Sequence, residues 1–205
     1  MSTEFSVHYP NAQERAAANF QRLIKVRGGN AVYVQGAFPS EGTADGGGRR
    51  FTLFVDQAGS APLCSVARRT ARPHAGADLV VTGPDGVELG VLRLPTPGGG
   101  GRPRYEMQLP DGTSLVGRRG TAGAWILYVL LSPLLLVYNV AGLVGGYGRP
   151  DWHLPSRTAW RPKGGLGLGL APLKFYGMTD KYKVRASRLD MRVVYAQAVL
   201  HEWDG

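Results

Sequence analysis

The residues from Gly120 to Gly148, GTAGAWILYVLLSPLLLVYNVAGLVGGYG, carry no charge, with Arg118 and Arg119 before them and Arg149 after. Trp125 to Val144 alone reaches the roughly 20 residues a helix needs to cross a bilayer core. A run this apolar must be covered, so it limits every fold open to the chain. Trp125 and Tyr147 near its ends suit interface anchors and favour a membrane. Ser132-Pro133, Asn139 and the glycines 142, 145 and 146 suit a broken segment packed on protein. Its candidate membrane-contact residues are Trp125, Leu130, Leu131, Pro133, Leu135, Leu136, Tyr138 and Tyr147.

Around the run the sequence reads mainly as β. Ala31–Phe38 is a short strand, and Phe51–Asp56 and Pro62–Arg68 alternate around a turn at 57–59. Two copies of one pattern follow. Segment 78–94 turns at Pro84-Asp85-Gly86, and segment 104–118 turns at Pro110-Asp111-Gly112. Proline presets φ and glycine supplies φ > 0, so each copy is a hairpin. Beyond the run, Thr158–Arg161, one or two strands within Leu166–Tyr176, and Tyr182–Ala186 continue the meander. In the last, Lys181, Lys183 and Arg185 share one face.

Two helices are expected at the ends. Asn11 with Glu14 resembles a capping box, and Ala17, Phe20, Leu23 and Ile24 follow at helical spacing up to Gly28-Gly29. This makes residues 1–48 an N-terminal helix and linker. At the other end Asp190 caps a helix over Met191–Trp203. It is apolar nearly all round but too short to span a membrane, so it belongs inside protein.

Strand–PDG–strand units at 78–94 and 104–118, then Thr179-Asp-Lys-Tyr-Lys-Val-Arg185, then Leu189-Asp190 opening an apolar terminal helix, make an uncommon combination. It resembles the tubby-like C-terminal fold of tubby proteins, phospholipid scramblases and the LURP-one-related family. The resemblance covers roughly residues 50–119 and 157–203 and implies an α+β, mainly β fold: an antiparallel barrel around a hydrophobic C-terminal helix, which makes 49–205 the barrel domain; the run at 120–148, read as a helical insertion, is an addition that the family pattern lacks. It implies lipid or membrane-surface binding rather than catalysis. The acidic calcium-binding stretch of animal scramblases has no counterpart here. A shared barrel also constrains the apolar run. Two crossings need about 40 residues, so a run flanked by strands of one barrel is a re-entrant, in-plane or protein-packed excursion broken near Pro133. A single-pass protein with two small separate domains is the competing topology.

Net charge is +9, which points to an anionic partner. Residues 149–188 hold nine basic side chains against Asp151 and Asp180. Arg149, Arg157, Arg161, Lys163, Lys174, Lys181, Lys183 and Arg185 are the candidate lipid-headgroup residues, worth about 1 kcal/mol each beside an anionic leaflet. A solvated barrel face accounts for the same residues without a ligand. Nucleic acid is the weaker partner, since Trp152, Trp160, Phe175 and Tyr176 read better as strand and core aromatics than as base-stacking platforms. The alternative to a membrane is a soluble interaction protein using 120–148 as a packing or oligomer surface, with the oligomeric state left open.

Nothing in the chain reads as a catalytic constellation, and no cofactor is expected. Gly164–Gly169 lacks the phosphate-loop pattern. His8, His74, His153 and His201 lack ligand spacing, and His201 reads as a helix-end residue near the negative dipole end. The lone Cys64 reads as a buried thiol, and the polar start MSTEFSVHYP has no signal-peptide core. The expected location is the cytoplasmic face of a membrane.

Overall fold

The computed structural model describes residues 2–11, 20–37, 50–69, 78–95, 104–119, 157–164, 171–177, 179–185, 187 and 189–203, with Leu130, Ser132, Pro133 and Val137 as isolated positions. Strands β1 (Thr3–His8), β2 (Arg22–Val26), β3 (Val32–Ala37), β4 (Arg50–Phe54), β5 (Pro62–Arg68) and β6 (Asp78–Thr82) lead into the second half. There β7 (Glu88–Arg93), β8 (Arg104–Gln108), β9 (Ser114–Arg119), β10 (Arg157–Pro162), β11 (Leu173–Tyr176) and β12 (Lys181–Val184) precede helix α1 (Met191–Trp203). Each strand lies antiparallel to its sequence neighbours, and β1 pairs with β12 to close a 12-stranded barrel. Closure leaves none of these twelve described strands with an edge exposed to pairing with another chain.

Period-2 alternation sets the two faces of the wall. Phe5, Ile24, Leu53, Val66, Leu79, Met107, Leu115, Leu173 and Val184 are buried, and their strand neighbours point outward. The interior is filled by α1. Its side chains meet Phe5 on β1, Trp160 on β10, Phe175 on β11 and Tyr182 on β12. The Cys64 thiol on β5 approaches the Arg192 carbonyl at 3.8 Å. Contact with strands all round the circumference explains why Val193 to Leu200 are buried without a break. Each large apolar side chain so covered contributes about 1.5–3 kcal/mol. Asp190 caps the helix as its sequence position implies, accepting the Arg192 backbone N–H at 2.9 Å.

Both PDG hairpins form alike. The Gly86 N–H donates to the Gly83 carbonyl, and the Gly112 N–H to the Leu109 carbonyl, each at 3.0 Å. Gly86 and Gly112 take φ of 79° and 81°, the left-handed conformation that the turn demands.

The N-terminal expectation is corrected. Arg22–Val26 is a strand, not the end of a helix: Leu23 pairs with His8 and Tyr33, and Ile24 with Val7 and Val32. Phe20 and Ile24 are buried and Lys25 is exposed, which fits period 2 as well as helical spacing, and the open barrel wall decides between them. The helical start at 12–19 lies outside the described residues. Thr3–His8, expected only as a polar terminus, supplies the closing strand through buried Phe5 and Val7. Strands β1 to β3 therefore belong to the barrel, and residue 48 is no boundary in the sheet.

The single-pass, two-domain topology is overturned as well. Thr158 pairs with Arg119 and Ala159 with Arg118, so β9 and β10 are neighbours in one barrel. Of the apolar run only Leu130, Ser132, Pro133 and Val137 are described; their backbone is helical, and Leu130 and Val137 are exposed. The rest of the expected helical insertion lies outside the described residues. Among the described residues no helix is long and apolar enough to cross a membrane.

Candidate functional site: a basic wall and an arginine rim

The outer wall of β10 to β12 carries most of the basic residues singled out from the sequence. Lys174 lies directly opposite Lys183 on one side and Ala159 on the other, and Ala159 lies opposite Arg118. Like charges in register cost stability. Glu4 relieves one of them, lying 3.3 Å from Lys183 and 2.9 Å from Arg27, and these two cations hold its carboxyl below the usual carboxylate range. Glu106 lies 2.7 Å from Arg104 and 4.0 Å from Lys163. The Arg157 guanidinium lies over the Tyr176 ring, 5.0 Å from its centroid.

These residues form a stripe along the wall instead of one cluster. Antiparallel alternation puts the start of β10 and the end of β11 at the same rim. Arg157 and Lys181 therefore stand at one end of the barrel, Lys174 and Lys183 near the middle, and Arg161, Lys163 and Arg185 at the other end. Arg149, Trp125, Leu131, Leu135, Leu136, Tyr138 and Tyr147 lie outside the described residues. Pro133 is exposed, as is Leu130.

A stronger pattern appears at the strand ends. At the rim where β1 ends, seven strands begin or finish with arginine: Arg22, Arg50, Arg68, Arg93, Arg104, Arg119 and Arg157. Lys181 adds an eighth cation in the same position on β12. At the opposite rim none of the described strands ends in arginine or lysine. The two rims also differ in their connections. The opposite rim holds the short turns with Asp56, Asp85 and Asp111, each aspartate accepting backbone N–H groups of its own turn. The arginine rim holds the longer connections, including 120–156. Counting basic residues along the sequence missed this rim, because the arginines are spread over residues 22–157 and only strand direction gathers them.

A second polar cluster, also missed, lies inside. His201 stands in the last turn of α1, the helix-end position expected for it, and is buried there. The Thr158 hydroxyl stands 3.2 Å from its Nε2, and the Tyr182 hydroxyl 2.9 Å from its Nδ1. Tyr182 also donates to Glu202 Oε1 at 3.0 Å. One consistent arrangement runs Thr158 O–H to Nε2, Nδ1–H to Tyr182, and Tyr182 O–H to the Glu202 carboxylate. Burial pushes the Glu202 carboxyl and the Tyr182 phenol up. The i, i+4 spacing of Gln197 and His201 is the only sequence signal for a polar helix face. The cluster ties α1 to β10 and β12, and Gln197 and Trp160 Nε1 complete it without hydrogen-bond partners among the described residues.

No group of three His, Cys, Asp or Glu suited to a metal occurs among the described residues. No family model, curated protein or solved structure matches the chain.

Proposed function

We propose that this protein associates with membranes by binding anionic lipid surfaces, as a scramblase-like protein, a sensor or a scaffold. The observation that carries the reading is the β9–β10 pairing, through which the uncharged run leaves and rejoins the barrel at one rim beside Arg118 and Arg157. A segment so connected can dip into one leaflet and return, which fits a re-entrant or in-plane geometry. Exposed Leu130 and Val137, at 72% and 67%, supply apolar surface for that contact. The closed barrel around a buried C-terminal helix supports the tubby-like resemblance. The cytoplasmic leaflet is the natural target, since its anionic lipids attract juxtamembrane basic residues.

Flotation with phosphatidylcholine vesicles, with and without phosphatidylserine, tests the reading. Co-flotation that resists alkaline carbonate is expected if the run inserts. Protein that stays at the bottom of the gradient with every vesicle overturns membrane binding. The same exposed leucine and valine would then serve a protein partner or a second copy, to be read by sedimentation.

A further inference from the structure

We infer that the barrel docks on an anionic bilayer end-on, with the arginine rim against the headgroups and the barrel axis upright. The inference rests on the membrane reading and adds which surface makes the contact. The sequence alone favoured the side wall of β10 to β12; strand direction favours the rim.

Chemistry and charge both select this end. The rim cations are arginines almost throughout, whereas the wall between β11 and β12 presents Lys174 and Lys183. A guanidinium is weakly hydrated and offers a planar fork that matches phosphate and carboxylate oxygens bidentately, which a lysine ammonium does not. Some rim charge is absorbed locally: Arg93 lies 3.0 Å from Asp78, and Arg104 pairs with Glu106. At the rim Arg68 and Arg157 have no carboxylate partner among the described residues, and the Nε of Arg157 is buried without a hydrogen bond. The C-terminal end of α1 lies at this rim, where the Tyr9 hydroxyl donates to the Glu202 carbonyl at 3.3 Å. A helix dipole of about half a negative charge is far too small to explain seven arginines.

Tyr9 supplies the amphipathic part of the contact. It is 58% exposed, and the Arg22 guanidinium lies 3.7 Å from its ring centroid. A rim tyrosine stacked with arginine suits the headgroup layer, where one end of the side chain is apolar and the other wet. The opposite end carries Arg161, Lys163 and Arg185 together with Asp56, Asp85 and Asp111, so charges of both signs offset there. The charge difference along the barrel axis therefore orients the molecule before contact as well as holding it afterwards.

The test compares two triple variants of the full chain by flotation, with far-ultraviolet circular dichroism confirming that each remains folded. The first is Arg68→Gln, Arg119→Gln and Arg157→Gln at the rim. The second is Arg161→Gln, Lys163→Gln and Lys174→Gln on the wall and far end. The rim triple is expected to lose phosphatidylserine-dependent partition by about fivefold per arginine, and the second triple to stay close to wild type. Equal losses would put the side wall on the membrane and overturn the upright orientation while leaving the membrane reading intact. So would losses confined to the second triple, or none in either. If wild type ignores phosphatidylserine vesicles, the membrane reading itself fails. A rim triple that loses binding to a duplex oligonucleotide but not to vesicles would reassign the rim to nucleic acid.

Discussion

Gly117 on β9 lies directly across from Trp160 on β10, and a Cβ placed on that glycine would sit 2.5 Å from the indole nitrogen. The pair is complementary: the missing side chain on one strand is the space occupied by the fully buried ring on the next. Gly117→Val forces the ring into a core already filled by α1. A loss of about 1–3 kcal/mol is expected, as for other overpacked cores. Urea denaturation would read it, and a midpoint equal to wild type would show that the ring has room to move.

Asp190 caps α1 and holds Arg192, with 2.7 Å between Asp190 Oδ2 and Arg192 Nη2. The Arg192 hydrogen bond holds its carboxyl below the ordinary range. That contribution is present above the unfolded carboxylate pKa of about 3.9 and lost as pH falls through the lower folded value. Asp190→Ala removes cap and ion pair together and is expected to cost about 1–2 kcal/mol. Asp190→Asn keeps a capping oxygen and should cost less at neutral pH, while showing a weaker loss of stability in acid. Thermal melts of both variants from acid to neutral pH would distinguish the cap from the charge.

Glu202 behaves with the opposite sign. Burial raises its carboxyl in the folded state, so folding binds the proton more tightly and stability falls as pH rises from the unfolded pKa through the folded one. Glu202→Gln keeps an oxygen to accept from Tyr182 and removes the buried charge. The variant should melt higher than wild type at neutral pH, with the advantage vanishing below the unfolded pKa. A constant offset across pH would instead mean that charge burial is not what distinguishes the two.

Burial pushes the Cys64 thiol up to about 12. At pH 8 its thiolate fraction is then on the order of 10³-fold below that of an ordinary cysteine. Native protein should resist a disulfide reagent at that pH and react promptly once unfolded in guanidinium. Fast labelling of the native state would mean that β5 opens readily beside α1.

The hairpins at 84–86 and 110–112 and helix α1 were legible in the sequence because local chemistry decides them. Proline and glycine dictate the turn, and Asp190 opens an apolar segment too short to do anything but hide. The strand Arg22–Val26 was not legible, because Phe20 and Ile24, four apart, satisfy helical and strand spacing alike, while Leu23 beside Ile24 fits the helical pattern. The vacancy between β1 and β3 decides there, and it exists only in the assembled barrel. Thr3–His8 was obscured in the same way: two buried residues among polar ones look like a terminus until a partner strand is known. The arginine rim has no local signal. Its members are gathered by the alternation of strand direction, which is a property of the whole sheet.

Because β1 closes against β12, β1 waits during synthesis for β12, and helix α1 follows both. No partial product of the described chain can be a finished barrel. Until β12 is made the wall has one open seam with two unpaired edges, and until α1 is made it has no filling. Folding of the barrel therefore waits until α1 has emerged, and through that interval the strand edges stay open to wrong partners.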